Sequence, residues 1–403
     1  MRQHRVQRLI VAVRGAFAAP GHVAMMDAWP ALQGTATMAV TLFLAGDVMP
    51  GRGVDQILPH PGDPRLRESF VRDARYYVHA AEERNGPLSL PVPFSWPWGS
   101  ALRVIEEVAP AARIVNLETS VTRARAFAPG KAVHYRMRPE NVPAVLAARP
   151  DVCVLANNHV LDFGRKGLTE TLAVLSRAGV RVAGAGGDAV EAARPAVVGL
   201  GEGGANDLVV LAAAAASSGV PPGWEAGPGR AGVRLLDSAA NEIVEQVAIA
   251  KRTGNLVVVS LHWGSNWGYG VPAGQVAFAH RLIDAGADVV HGHSSHHPRP
   301  IEVYRDRLVL YGCGDLINDY EGISGFERYR GDLRLLYFPD LDPASGALLG
   351  LRLVPVQARR LRLQRAGSRD QEWLRAVLTR CGEPFGTRVE SGGDALSLAW
   401  NRM

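Results

Sequence analysis

Six of the twelve histidines fall between His262 and His297, and the chemistry of this chain concentrates around them. Asp47, Glu118, Asn158, His159, His262, His293 and Asp315 each stand at or just beyond the end of a short apolar run. Asp47 and Glu118 suit a hard cation, or share a proton if brought close together. Asn158 offers an amide oxygen to a metal and a donor to an anionic intermediate, and Asp162 is spaced to orient His159. His262, His293 and His296 can ligate a transition metal or act as acid and base near neutral pH. Gly264 and Gly292 permit close backbone approach, and Ser294 and Ser295 can donate to an oxyanion. His297 precedes Pro298, which keeps the loop extended, so His293 and His296 are the favoured pocket residues of the cluster. His280 falls in a helical stretch, and Asp288 reads as a local cap or ion-pair partner.

The elements that must position these groups alternate. Short apolar runs at 40–45, 113–116, 152–156, 256–261, 288–290 and 308–311 read as buried strands. Helical patterns at 101–108, 140–148, 165–178 and 273–285 lie between them, with Ser100 as a cap and Gly179 and Gly286 as stops. This alternation implies an α/β sheet structure whose carboxyl strand ends form the rim where ligands collect. A proline-rich excursion near 50–98 and another near 217–232 read as a lid or pocket wall. Trp96, Trp98 and Trp263, with Ser294, Ser295 and Asp315, are the expected substrate contacts. The C-terminal third changes to extended patterns at 333–338, 347–357 and 361–364, implying antiparallel strands, followed by a helix at 370–378. Residues 1–36 read as an extension and 37–403 as a single domain.

The composition limits the class. With 403 residues, 47% of them apolar and 21% charged, the chain has the make-up of an ordinary globular protein. Cys153, Cys313 and Cys381 are too few and too scattered for a disulfide framework. The formal charge is +5, from forty-one arginines and three lysines (Lys131, Lys166 and Lys251) against 39 acidic residues. The arginines are dispersed, with no zinc-finger spacing or RNA-recognition aromatics, so nucleic acid is not an expected partner. The apolar stretch after Arg8 is broken by Arg14, too soon for a secretory or membrane-spanning segment. The expectation is a cytoplasmic enzyme with no integral membrane segment.

The motifs together resemble the CapA-like capsule-synthesis proteins associated with poly-gamma-glutamate production, of the calcineurin-like metallophosphatase superfamily. The matching residues are Gly46-Asp47-Val48-Met49, Asn116-Leu117-Glu118, Asn157-Asn158-His159 with Asp162 and Gly164, His262-Trp263-Gly264, Gly292 to His297, and Tyr311 to Asp315. The resemblance implies a four-layer α/β/β/α sandwich. In dinuclear members the first motif places a histidine two residues after its aspartate, where this chain has Met49, a poor ligand for a hard cation. An occupied site would draw on Asp47, Glu118, Asn158, His262, His293 and His296, with manganese or zinc. The second motif of those members supplies a bridging aspartate, where this chain offers Glu118, and the two departures together favour a reading with no cofactor. Cytosolic relatives of this group include a lasso-peptide tryptophan epimerase. The expected activity is therefore peptide epimerisation by Asp47, Glu118, Asn158, His159, His262, His293 and His296 acting as acid, base and donors on a ribosomal peptide. The alternatives are a metal-dependent hydrolase or transferase at an amide, ester or phosphate bond, and a non-catalytic peptide-binding module.

Overall fold

Each of these apolar runs becomes a strand in the computed structural model of the chain, which describes residues 39–200 and 207–401. The expected extension at 1–36 lies outside the described residues. In chain order the strands are β1 (Val40–Val48), β2 (Ala112–Leu117), β3 (Val152–Val154), β4 (Arg181–Ala183), β5 (Ala196–Gly199), β6 (Asp207–Ala214), β7 (Leu256–His262) and β8 (Val289–His293). They continue with β9 (Ile301–Tyr304), β10 (Arg307–Leu310), β11 (Asp315–Ile317), β12 (Leu333–Leu341), β13 (Leu348–Ala358), β14 (Leu363–Arg365), β15 (Thr387–Gly392) and β16 (Ala395–Trp400). The longer helices are α1 (Arg75–Asn85), α2 (Ser100–Val108), α3 (Gly164–Arg177), α4 (Leu236–Arg252), α5 (Ala273–Asp284) and α6 (Ser368–Gly382).

Two large sheets result, giving a mixed α/β fold. One runs β15-β16-β13-β12-β1-β2-β3-β4, with β11 also paired to β1 and β14 to β13; the other runs β9-β10-β8-β7-β6-β5. The central strands of each are parallel, β11-β1-β2-β3-β4 in the first and β6-β7-β8-β10 in the second. The strands from β12 onward pair antiparallel, as the turn-rich C-terminal pattern implies.

Burial follows from this order. A parallel strand covered on both faces reads as a continuous apolar run, and Leu42 to Val48 of β1 are all buried. In the second sheet alternate residues face opposite ways. Leu208, Val210 and Ala212 of β6 share a core with Leu42, Leu44 and Ile114 of the first sheet. Leu211 and Ala213 instead join Ile243 and Val247 of α4 and Leu282 and Ile283 of α5. One face of the second sheet is thus committed to the first sheet and the other to helices. That arrangement brings the carboxyl ends of β1 and β8 together.

Three details differ from the sequence expectations. Strand β1 extends to Val48, with a register shift between Ala45 and Asp47, so Asp47 sits inside the strand. Asp315 begins β11 and pairs directly with Asp47, where a loop position was expected. Ser100 is the first helical residue of α2 and makes no capping bond; its hydroxyl instead donates to the Leu363 carbonyl.

Candidate metal centre and its cavity

Glycine makes the first juxtaposition. A methyl group on Gly46 would stand 1.7 Å from the Gly314 carbonyl oxygen, so only glycine lets the segment before β11 lie against β1. The Asp47 N–H then donates to that carbonyl at 2.9 Å, and the Asp47 and Asp315 carboxylates come to face one site. Asn116 of β2 and Glu118, one residue past its end, turn toward the same site. The Asn116 amide donates to Asp47 Oδ1 at 2.8 Å and to Glu118 Oε2 at 3.0 Å. Asn157, after β3, donates to Asn116 Oδ1 and to the Leu117 carbonyl, while its own oxygen accepts the N–H groups of His159 and Val160. This asparagine lattice holds the turn that carries Asn158 and His159.

The second sheet supplies the imidazoles. His291 Nε2 lies 2.9 Å from the Ala45 carbonyl oxygen, so that nitrogen bears the proton, and Nδ1 accepts from the Ser260 hydroxyl at 3.0 Å. The Ser260 oxygen in turn accepts from His293 Nε2 at 3.0 Å. His293 is left with a lone pair on Nδ1, which faces His262 Nδ1 across 2.8 Å. His262 Nε2 faces Asn158 Oδ1 at 3.2 Å and Glu118 Oε1 at 3.8 Å. Burial pushes both ring pKa values well below the ordinary histidine value, so both rings are neutral. With the Asn158 oxygen toward the ring, either tautomer of His262 leaves one bare acceptor pair facing another. In that amide orientation the network is one proton or one cation short.

The carboxylates show the same deficit. Burial, then the charge of Asp315, pushes Asp47 up to about 7, and burial with the charges of Asp47 and Asp315 raises Glu118 well above its usual range. Asp315 goes the other way. Although burial opposes it, the adjacent His296, at 2.9 Å, keeps the carboxyl below its ordinary value, and Asp315 raises His296 in return. Among the described residues, two groups of side chains have ligand atoms within 4.8 Å of one another: Asp47 with His262 and His293, and Asp47 with His296 and Asp315. Asp47 belongs to both. Mixed imidazole and carboxylate donors of this kind suit zinc or manganese. Met49 is fully buried and adds no hard donor, but His296 and Asp315 supply nitrogen and oxygen beside Asp47.

His159 stands at the edge of this cluster. Its Nδ1 bonds Asp162 Oδ2 at 2.7 Å, and its Nε2 lies 3.8 Å from Glu118 Oε1. Lys131 bonds the other Asp162 oxygen at 2.5 Å. Burial, then the charge of Lys131, lowers His159 to about 4, so it is a neutral ring at pH 7 with its free pair on Nε2.

A cavity of about 800 Å³ opens onto His296 and Asp315. Its walls come from the 50–98 excursion (Arg52, Glu68, Tyr77, Arg84), from Tyr135 and Trp267, from the 320–332 segment, and from Arg334. The expected aromatic contacts are elsewhere. Trp98 is buried in the core and donates to the Ala144 carbonyl at 2.7 Å. Trp96 donates to the Arg360 carbonyl and lies under the Arg362 guanidinium. Trp263 is buried against Tyr311 and donates to its carbonyl. All three are packing residues, because their rings fill gaps between elements and their indole N–H groups already have partners. Ser294 contributes through its backbone: at φ 97° its N–H donates to Asp47 Oδ2 at 3.2 Å. The Ser295 hydroxyl is spent on the His297 carbonyl. His297 accepts from Gly268 N–H and packs among Trp267, Tyr269 and Tyr329. The 217–232 excursion sends Trp224 against Lys131 and does not line the cavity.

Sequence reasoning passed over Asn116, Asn157, Ser260, Lys131, Trp267 and Arg334. The first two lay in quoted motifs, where Asn116 stands two residues before Glu118. Nothing local marks the others.

The fold and this cluster define a class, and comparison with known proteins agrees: the chain belongs to the bacterial capsule synthesis protein PGA_cap family, whose model matches residues 41–320. Among individual relatives, it is 54% identical over 362 residues to a "probable polyglutamine synthesis accessory protein" of Mycobacterium tuberculosis, covering 89% of this chain and 95% of that one. It is 26% identical to the "PGA biosynthesis protein CapA" of Bacillus subtilis (68% of each chain), and 26% identical to the "capsule biosynthesis protein CapA" of Bacillus anthracis (70% of this chain, 60% of that one). A solved structure, that of TT1561 from Thermus thermophilus, superposes with a TM-score of 0.35 at 10% identity over 77% of this chain and 97% of that one, too loosely to assign a fold.

These findings overturn the expected peptide epimerase, and with it the isomerase class and the lasso-peptide connection. The relatives are proteins of polymer and capsule synthesis, and the buried Asp/His cluster has the geometry of a cation site. The cofactor-free expectation is corrected on the same ground. It rested on Met49 and on Glu118 in the place of a bridging aspartate, whereas His296 and Asp315 provide donors beside Asp47. No helix among the described residues is long and apolar enough to cross a membrane.

Proposed function

We propose that this protein is a metal-dependent hydrolase or transferase acting at an amide, ester or phosphate bond, with Asp47, His262, His293, His296 and Asp315 holding the metal. The observation that carries this reading is the pair of buried donor groups sharing Asp47, one of which reaches the wall of an open cavity through His296 and Asp315. A divalent cation there supplies Lewis acidity toward the oxygen of the scissile bond. Around it, Glu118 and Asn158 present oxygens to the same space, and the asparagine lattice fixes their orientation. Asp162 holds the proton on His159 Nδ1, leaving Nε2 to take or return a proton during bond cleavage. The Ser294 N–H and the Asn116 amide orient Asp47. The relatives' names favour a polymer substrate and the amide bond among the three. The same reading takes residues 37–403 as one domain, with the two sheets and their helices as a four-layer sandwich of the metallophosphatase type.

The test uses the full-length protein stripped with chelator and assayed on γ-glutamyl-p-nitroanilide, p-nitrophenyl acetate and p-nitrophenyl phosphate. At least one chromophore should be released on adding manganese or zinc, and His293→Ala should abolish the release. Turnover undiminished by chelator, or none with any metal, would refute the proposal.

A further inference from the structure

Among the described residues, Arg334 is the buried arginine of this cavity that touches no carboxylate; the negative charge acting on it most strongly is that of Asp315. The cavity's carboxylates have other partners: Glu68 accepts from Arg52 and Tyr77, Asp332 from Arg330 and Gln357, Glu321 from Asn85 and the N–H groups of Arg360 and Leu361, and the exposed Glu327 from the Gly325 N–H. Asp315 accepts from His296 and Asn318. Arg334, in β12, is 2% exposed yet lines the same cavity. Its Nη2 donates to Asn318 Oδ1 at 3.0 Å, its Nη1 only reaches the Leu333 carbonyl at 3.5 Å, and its Nε–H has no partner. Among the described residues, no carboxylate lies within 4.0 Å of its guanidinium.

A buried guanidinium cannot shed its proton, and a buried charge with no carboxylate in contact and an unpartnered N–H is costly. The obvious partner, Asp315, is held off: Asn318 stands between them, donating to Asp315 Oδ2 at 2.6 Å while accepting from Arg334. The spacer keeps Asp315 for His296 and Asp47, and leaves the Nε–H of Arg334 unpartnered and its Nη1 weakly bonded beside the cavity. The planar donor fork of a guanidinium matches the paired oxygens of a carboxylate or phosphate. Arg359, bonded only to the neutral Asn85 side chain, and the exposed Arg84 add positive charge on the same walls.

We propose that Arg334 is the anchor of an oxyanion subsite, which holds a carboxylate or phosphate group of the substrate one side chain away from the metal-capable cluster. The inference rests on the cavity being the substrate site of the proposed enzyme, and it makes that substrate anionic.

The experiment titrates inorganic phosphate and, separately, glutarate into chelator-treated full-length protein by calorimetry, so that no metal can hold the anion. Wild type should bind at least one of them, and Arg334→Gln should weaken that binding at least ten-fold; which anion binds identifies the group. Melting temperature and manganese uptake report on folding. Should Arg334→Gln fail to fold, Arg334→Lys keeps the charge but loses the fork, and must still weaken binding several-fold. No binding of either anion to wild type at tens of millimolar, or equal binding by the variants, would overturn the subsite. Anion binding without manganese uptake would sink the hydrolase reading and leave the subsite standing; the reverse result would do the opposite.

Discussion

Replacing Asp47 by asparagine should stabilise the metal-free protein at neutral pH while removing its response to metal. Asp47 is shared by both donor groups, and burial with the Asp315 charge raises it from 3.8 to about 7. Between those values the folded chain keeps a proton that the unfolded chain has released, so this group's contribution to stability falls as pH rises and is lowest above pH 7. At 1.36 kcal/mol per pKa unit the ionised carboxylate costs the fold about 4 kcal/mol. Asparagine removes that cost but cannot accept from both the Asn116 amide and the Ser294 N–H. One donor would then face the new NH₂ group, at about 1–3 kcal/mol. The balance is a gain of about 1–3 kcal/mol, or a few degrees in melting temperature. Thermal melts in chelator at pH 8 should therefore place Asp47→Asn above wild type. Near pH 4 the order should reverse, because the carboxyl is then protonated in the fold and only the lost hydrogen bond remains. Manganese or zinc should raise the wild-type melting temperature and leave the variant unmoved. A variant less stable than wild type at pH 8 in chelator, or one stabilised by metal as much as wild type, would refute the reasoning.

Two other substitutions test how the site is built. Gly46→Ala would place a methyl group 1.7 Å from the Gly314 oxygen, so the β1–β11 contact must open; manganese affinity by calorimetry should fall at least ten-fold, and wild-type affinity would mean that the close approach does not set the site. Trp98→Ala removes a buried indole and its bond to Ala144. It should cost about 3–5 kcal/mol in denaturant unfolding with metal affinity unchanged, whereas a small stability loss with weakened binding of glutarate or phosphate would return Trp98 to the cavity.

Local pattern was enough to show that an α/β sheet presents acidic, amide and imidazole groups at its strand ends. The signal is short-range: an apolar run buried on both faces reads directly as a parallel strand, and the polar residue that breaks the run marks its end. Asp47, Glu118, Asn158, His262 and His293 were legible for that reason. Three things depended on contacts between residues far apart in the chain. The approach of Gly314 to Gly46 turned Asp315 from a loop residue into a neighbour of Asp47, across 268 positions. Of the tryptophans of the 50–98 segment, Trp98 was drawn into the core and Trp96 packs half-buried against it, because a large apolar ring gains more from burial than from a place on a wall; Trp267 faces the cavity. Arg334 touches no carboxylate because Asn318 came between it and Asp315. Composition and periodicity say which side chains carry charge. Whether a charge finds a partner inside the protein is decided by packing alone.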